Sequence, residues 1–213
     1  WRATQEVPTS PLTAIEFITT PKGWAVGGKL IWGTTDGGRL WGVQHLDDER
    51  LNAIAYSSEE LVWVVGDKGT ILHSEEGGQR KIRVDQLLGT WNVQDSGTDV
   101  RLNGVVFADD VSGWAVGDAG VVLHTTDGGV TWISQDSGTD AVLTAVVSGD
   151  DSRAWAVGEA GTILMTVDGG DVWSVVASGA KSDLAVVSVV SQSLDLWIAG
   201  DSGTLVRSAD GGL

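Results

Sequence analysis

Five acidic residues recur at a fixed place in this sequence: Asp36, Glu76, Asp127, Asp168 and Asp210, spaced 40, 51, 41 and 42 residues apart. Carboxylates can coordinate metals or work in pairs as acid and base in glycoside hydrolysis. The flanking residues favour a humbler role. Each acid stands third in Thr/Ser-x-(Asp/Glu)-Gly-Gly: Thr34 to Gly38, Ser74 to Gly78, Thr125 to Gly129, Thr166 to Gly170 and Ser208 to Gly212. A calcium loop of the EF-hand kind needs several oxygen side chains at alternating positions, and this segment offers one carboxylate. Asp tolerates turn geometry and accepts backbone N–H groups within a turn, while glycine permits positive φ. We read these acids as turn staples. They call for no metal and no cofactor.

The other reactive residue types are sparse. The absence of Cys excludes disulfides, thiol nucleophiles, Cys–zinc sites and iron–sulfur clusters. His73 and His124 hold the same place in neighbouring repeats, which separates them too far for a good zinc site; His45 is the third histidine. A sialidase-like site needs converging acids, an arginine cluster and a tyrosine nucleophile. The single Tyr56 aligns with Phe17 and Phe107 at a packing position, and the arginines do not share a repeat position. No Gly-x-Ser-x-Gly elbow or phosphate loop occurs. Glu16 is the one charge expected within an inner strand. Lys and Arg total 13 against 29 Asp and Glu, a net charge of −16, which argues against nucleic-acid backbones and anionic membranes. No apolar run approaches 18 residues, so no membrane insertion is expected.

Against that acidity, Arg80, Lys81 and Arg83 form the densest positive cluster. They lie in Gln79–Thr90, where ten extra residues stretch one repeat spacing to 51. Loops that break a repeat are favoured places for recognition. These three residues are the candidate binding site, with a protein as the expected partner.

The elements that must position them follow from the repeat. Gly-Trp-Ala-Val-Gly occurs at Gly23–Gly27 and Gly113–Gly117, with variants around Trp63, Trp155 and Trp197. Between successive copies the chain reads as four short strands bounded by Gly, Asp and Ser; in the third unit these are Leu102–Phe107, Gly113–Gly117, Val121–Thr125 and Trp132–Asp136. Four strands about every 42 residues, with no helical period, describe an all-β, five-bladed β-propeller of four-stranded antiparallel blades. We call the strands of a blade A to D from the inside out. One domain over 1–213 is expected, with 79–90 inserted in a C–D hairpin. Trp24, Trp63, Trp114, Trp155 and Trp197 open strand B and should fill the space between blades. Trp1, Trp41, Trp91, Trp132 and Trp173 open strand D and should cover the acidic turns. Trp32 aligns with Leu72, Leu123, Leu164 and Val206 and is expected in the core. Asp67, Asp118, Glu159 and Asp201 fall in B–C turns on the opposite rim, where they read as solvated turn residues.

Trp1 to Leu12 matches Trp91 to Leu102 step for step, whereas Leu184 to Gly212 supplies strands A, B and C without a D. Placing Trp1–Gln5 beside the last strand C closes the ring. The alternative is a five-repeat slice of a longer propeller.

The pattern Thr/Ser-x-Asp-x-Gly-x-x-Trp stands intact at Thr34–Trp41, Thr125–Trp132 and Thr166–Trp173. It resembles the Asp-box or BNR repeat, and with Gly-Trp-Ala-Val-Gly it is similar to propellers of the photosystem II stability/assembly-factor type. The resemblance covers nearly the whole chain. It implies a non-enzymatic assembly or protein-binding scaffold, usually of seven blades with a basic patch; this sequence reads as five blades and is acidic. The alternatives are a glycan-binding or degenerate glycosidase or sialidase-like propeller, or an engineered or excised one without a selected ligand. An extracytoplasmic setting (secreted, periplasmic or thylakoid-lumenal) fits a Cys-free, acidic, Asp-box-rich chain. The oligomeric state is left open.

Overall fold

The computed structural model describes residues 11–77, 80–83, 86–88, 90–190 and 194–212, with backbone alone over 80–83 and 86–88. Every regular element longer than a single 3-10 turn is a strand among these residues. The first sheet holds β1 (Ala14–Phe17), β2 (Gly23–Gly27), β3 (Leu30–Thr34) and β4 (Gly42–Leu46). The second begins with β5 (Leu51–Tyr56), β6 (Val62–Gly66) and β7 (Ile71–Ser74). A separate hairpin follows, β8 (Arg80–Arg83) with β9 (Gln86–Leu88), before β10 (Asn92–Gln94) completes the second sheet beside β7. The third sheet is β11 (Leu102–Phe107), β12 (Gly113–Gly117), β13 (Val122–Thr125) and β14 (Ile133–Gln135). The fourth is β15 (Leu143–Ser148), β16 (Ala154–Gly158), β17 (Ile163–Thr166) and β18 (Ser174–Val175). The last sheet holds three described strands: β19 (Leu184–Val190), β20 (Asp195–Gly200) and β21 (Leu205–Ser208).

All neighbours within these sheets are antiparallel, and chain order is kept from inner to outer strand, as in propeller blades. The inner strands β1, β5, β11, β15 and β19 lie against one another in sequence. Trp1–Gln5, the strand expected to close the ring, lies outside the described residues.

The core sits between blades. Strand B is buried along its whole length in the first four blades because both faces are covered. Trp24 packs with Ile54, Val62 and Leu72 of the second blade, Trp63 with Leu102 and Phe107 of the third, and Trp114 with Leu143 and Leu164 of the fourth. Trp63 also stacks on Phe107 at 3.5 Å between ring centroids. The indole N–H groups of Trp24, Trp63 and Trp155 donate to the carbonyls of Gly77, Gly128 and Gly211, each in the acidic turn of the next blade. Trp197 departs from the expectation for its set. It is 45% exposed, against 1% or less for the other four, because no described blade covers its face. Trp32 is half-buried and not in the core. It pairs with Ala25 as Leu72 pairs with Val64, but Leu72, Leu123 and Leu164 pack with the strand B tryptophan of the blade before them, and no described blade precedes the first.

A bulge recurs at the start of strand A, after Leu51, Leu102, Leu143 and Leu184. In three blades the bulged residue reaches the next blade. Asn52 Nδ2 donates to the Leu102 carbonyl at 2.9 Å, Asn103 Nδ2 to Leu143 at 2.9 Å, and Thr144 Oγ1 to Leu184 at 2.6 Å. Thr13 Oγ1 makes the same contact with Leu51 at 3.0 Å. The glycine that ends strand B belongs to this device: a Cβ on Gly117 would stand 2.1 Å from the Arg101 carbonyl. Asn52 and Asn103 also donate to Asp67 and Asp118, which anchors two acids expected to be merely solvated.

Asn103→Ala should therefore strand the Leu143 carbonyl and lower unfolding stability by about 1–3 kcal/mol. Urea denaturation checks this, with Asn103→Thr expected to recover much of the loss because Thr144 and Thr13 already serve in that role.

Candidate functional site

Each acidic turn is built by its own side chains. In the third blade, Thr125 Oγ1 accepts the Gly129 N–H at 2.8 Å and donates to Asp127 Oδ1 at 2.9 Å. Asp127 Oδ1 then accepts Thr131 N at 2.9 Å, and Oδ2 accepts Thr131 Oγ1 at 2.7 Å. Asp36 accepts the N–H groups of Arg39 and Leu40, and Asp168 that of Val172. Asp210 accepts Ser208 Oγ and Gly212 N. Donors aimed at the charged form hold all four carboxyls below the usual range; the leading donor is the backbone of Leu40 for Asp36, of Thr131 for Asp127 and of Val172 for Asp168, and the Ser208 hydroxyl for Asp210. Carboxylates engaged in this way serve the turn. Among the described residues no group of three His, Cys, Asp or Glu could hold a metal ion.

Glu76 differs for a reason the sequence carries. Its carboxylate accepts Thr90 Oγ1 at 3.4 Å. Thr90 precedes Trp91 as Thr131 precedes Trp132, so this is the Asp127–Thr131 contact carried around the insertion by a longer side chain. The insertion itself folds as the β8–β9 hairpin, and Cα atoms of β9 come within 8 Å of those of β4, the outer strand of the first blade. Arg80, Lys81 and Arg83 thus share one four-residue strand that interrupts the second blade between its strands C and D.

The remaining titratable groups read as packing. His73 and His124 stack on Trp63 and Trp114 at 4.6 Å, and burial pushes both imidazoles down. Tyr56 lies 6.5 Å from Trp24 and donates to the Phe17 carbonyl at 3.4 Å. His45 lies 3.4 Å from Asp47. Burial raises Glu16, and no neighbouring charge adds to the shift. Arg153 and its neighbours hold Asp150 at about 2.

Two sets of residues escaped the sequence reading. One is the bulge set Thr13, Asn52, Asn103 and Thr144, each following an aligned leucine. The other is the strand D glutamine. Trp132 Nε1 donates to Gln94 of the blade before it at 3.2 Å, and Trp173 Nε1 to Gln135 at 2.9 Å. Each glutamine passes its own amide to a turn carbonyl, Gly128 or Gly169. Trp-x-x-Gln at Trp41, Trp91 and Trp132 was the available signal. Gln44 and Trp91 hold these positions beside the insertion, where the Gln44 amide and Trp91 Nε1 are buried without a hydrogen-bond partner. At the far end of the array, a cleft of about 430 Å³ opens beside β21, between Val176 and Gly212.

A family model described as photosynthesis system II assembly factor YCF48 matches residues 1–88 and 84–183. The photosystem II assembly lipoprotein Ycf48 of Synechococcus sp. (strain CC9902) is 35% identical over 91 residues, which is 39% of this chain and only 27% of that protein. Among solved structures, YCF48 bound to D1 peptide aligns at TM-score 0.54 and 19% identity, over 96% of this chain and 79% of that one. The GH74 enzyme of Niastella koreensis aligns at TM-score 0.71 and 16% identity, over 94% of this chain and 37% of that one. Identities this low establish the propeller fold alone.

The pKa shifts define two windows of acid sensitivity. Buried neutral His73 and His124 stabilise the fold fully above the unfolded histidine value near 6.5, and this contribution drains as pH falls below it. The depressed turn carboxyls and Asp150 add a second loss below about pH 4, continuing toward pH 2. Urea midpoints should be level from pH 7 to 8, fall gently from 6.5 to 5, and drop steeply below 4. His73→Gln/His124→Gln should remove the upper decline and leave the lower.

Proposed function

The chain belongs to the photosynthesis system II assembly factor YCF48 family, and we propose that it is a non-enzymatic propeller scaffold that binds a peptide segment of a protein partner during assembly. The observation that carries the site is the inserted hairpin. A rigid array of blades presents Arg80, Lys81 and Arg83 on a strand that no other blade has among the described residues, within a chain of net charge −16. Presenting recognition residues on a rigid frame lowers the ordering cost of binding. A basic strand in an acidic protein also selects its partner by charge: it favours acidic segments, and the surrounding surface repels them elsewhere. In the solved complex, YCF48 is bound to D1 peptide, and a peptide of that kind is the ligand proposed for this chain.

The scaffold reading includes one domain over 1–213, closed into five blades when Trp1–Gln5 takes the strand D place of the last blade. An extracytoplasmic setting is part of the same reading: the Synechococcus relative is a lipoprotein, and no helix among the described residues is long and apolar enough to cross a membrane. A glycosidase reading would need a carboxylate pair about 5–10 Å apart across a bound sugar. Glu16, the one carboxyl raised by its surroundings among the described residues, owes that shift to burial with no second charge.

Fluorescence titration with D1 peptide tests the proposal. The parent should bind, and Arg80→Ala/Lys81→Ala/Arg83→Ala should bind about tenfold more weakly, since exposed charge contacts contribute up to ~1 kcal/mol each. The difference should shrink at 0.5 M salt. Equal affinity for both proteins would remove the site from the hairpin. No binding by the parent would overturn the proposed ligand.

A further inference from the structure

The cleft beside β21 has the lining of an occupied site elsewhere in the molecule. Trp173, the strand D indole of the fourth blade, packs with Trp114, Val122, Ala154, Ala156 and Leu164. One repeat further along, the same positions are Trp155, Ile163, Leu196, Ile198 and Val206, and all five line the cleft. The acidic turn that strand D tryptophans cover in other blades, here Ser208 to Gly212, borders it too. β21 pairs with β20 along one edge, and among the described residues its other edge has no partner strand. In the fourth blade the equivalent place holds an indole and an extended strand behind it.

We propose that this cleft is a tryptophan slot that takes an indole-led extended strand, and that its resident occupant, this chain's own Trp1–Gln5, is held exchangeably. The proposal rests on the closed-ring reading and adds the chemistry and strength of the closure. The occupant follows from spacing: Trp1 to Leu12 spans the same eleven steps as Trp91 to Leu102, in which Trp91 opens a strand D. The exchangeability follows from two substitutions, one at each junction of the last blade. Val176 stands where Gln135 accepts the Trp173 N–H, so packing holds the indole in this slot without that hydrogen bond. Ala185 stands at the bulge after Leu184, where Asn52, Asn103 and Thr144 reach the next blade, and an alanine has no group with which to reach. The occupant of the slot thus keeps strand pairing and apolar contact and lacks the glutamine that holds Trp132 and Trp173, while the last blade lacks the side-chain tie with which the others reach the blade that follows.

The test uses the full chain, its Trp1→Ala variant and a labelled synthetic peptide of residues 1–12, read by fluorescence anisotropy and thermal melting. The Trp1→Ala protein should bind the peptide. The parent should bind it at least tenfold more weakly, because its own strand competes, and a peptide with Trp1→Ala should bind neither protein. Equal binding by parent and variant would overturn the resident occupant, and with it the closed ring, while leaving the slot. Absence of binding to either protein, with a lowered melting temperature for Trp1→Ala, would overturn exchange and leave the ring. Absence of binding with unchanged melting would overturn both.

Discussion

A blade of four short strands cannot bury its own faces, and this constraint organises the molecule. A small isolated sheet exposes both sides, so its apolar residues become a core only when another sheet lies against them. The strand B tryptophan measures that dependence. Trp24, Trp63, Trp114 and Trp155 are each 1% exposed or less beneath the following blade, whereas Trp197, on the last described blade, is 45% exposed. Leu12, at the opposite end, is 44% exposed, whereas the leucines at its position in the other blades are fully buried. The sequence repeats; the burial depends on having a neighbour.

Burial alone would let adjacent blades slide, because apolar contact has no direction. Direction comes from the ties between them. A Thr or Asn grips the next inner strand at each described junction, the indole N–H of Trp24, Trp63 or Trp155 grips the next acidic turn while that of Trp114 is buried without a partner, and Trp132 and Trp173 grip a glutamine behind them. Between the second and third blades all three are made, at the inner, middle and outer radius, and together they fix the angle there; the other described junctions carry two of the three. The carboxylates of the acidic turns contribute indirectly. They shape the turn whose glycine carbonyl receives the indole N–H, which explains why an acid can recur five times without forming a site.

The repeat made much of this legible before any coordinates. Strands, blade order, acidic turns and the insertion each appear several times, and five imperfect copies expose a pattern that one copy would hide. The ties were harder to read for physical reasons. Asn, Thr and Ala alternate at the bulge because Asn and Thr can both reach the neighbouring carbonyl and Ala marks a junction built differently, so residue identity is not preserved along the chain. Trp32 was misread because alignment supplied a core position whose partner, the strand B tryptophan of a preceding blade, no described blade provides. Trp197 was misread because alignment predicts a residue's direction and says nothing about what stands opposite.

Where the repeat is broken, function has room. The turn acids, indoles and bulge residues are committed to holding blades together, and changing them costs structure first. The β8–β9 hairpin lies outside the repeat: it lengthens the C–D connection of the second blade by ten residues, β9 comes near β4 of the first blade, and Glu76 with Thr90 carries the turn contact past its base. A contact carried across the insertion lets the loop vary while the blade beneath it stays fixed. The same reasoning separates the two open features of the molecule. The basic strand is additional to the four-stranded blades and is the part proposed to meet a partner. The cleft at β21 repeats the lining that receives Trp173 one blade earlier, so its shape belongs to the repeat, and any strand entering it must meet the packing terms that the repeat sets.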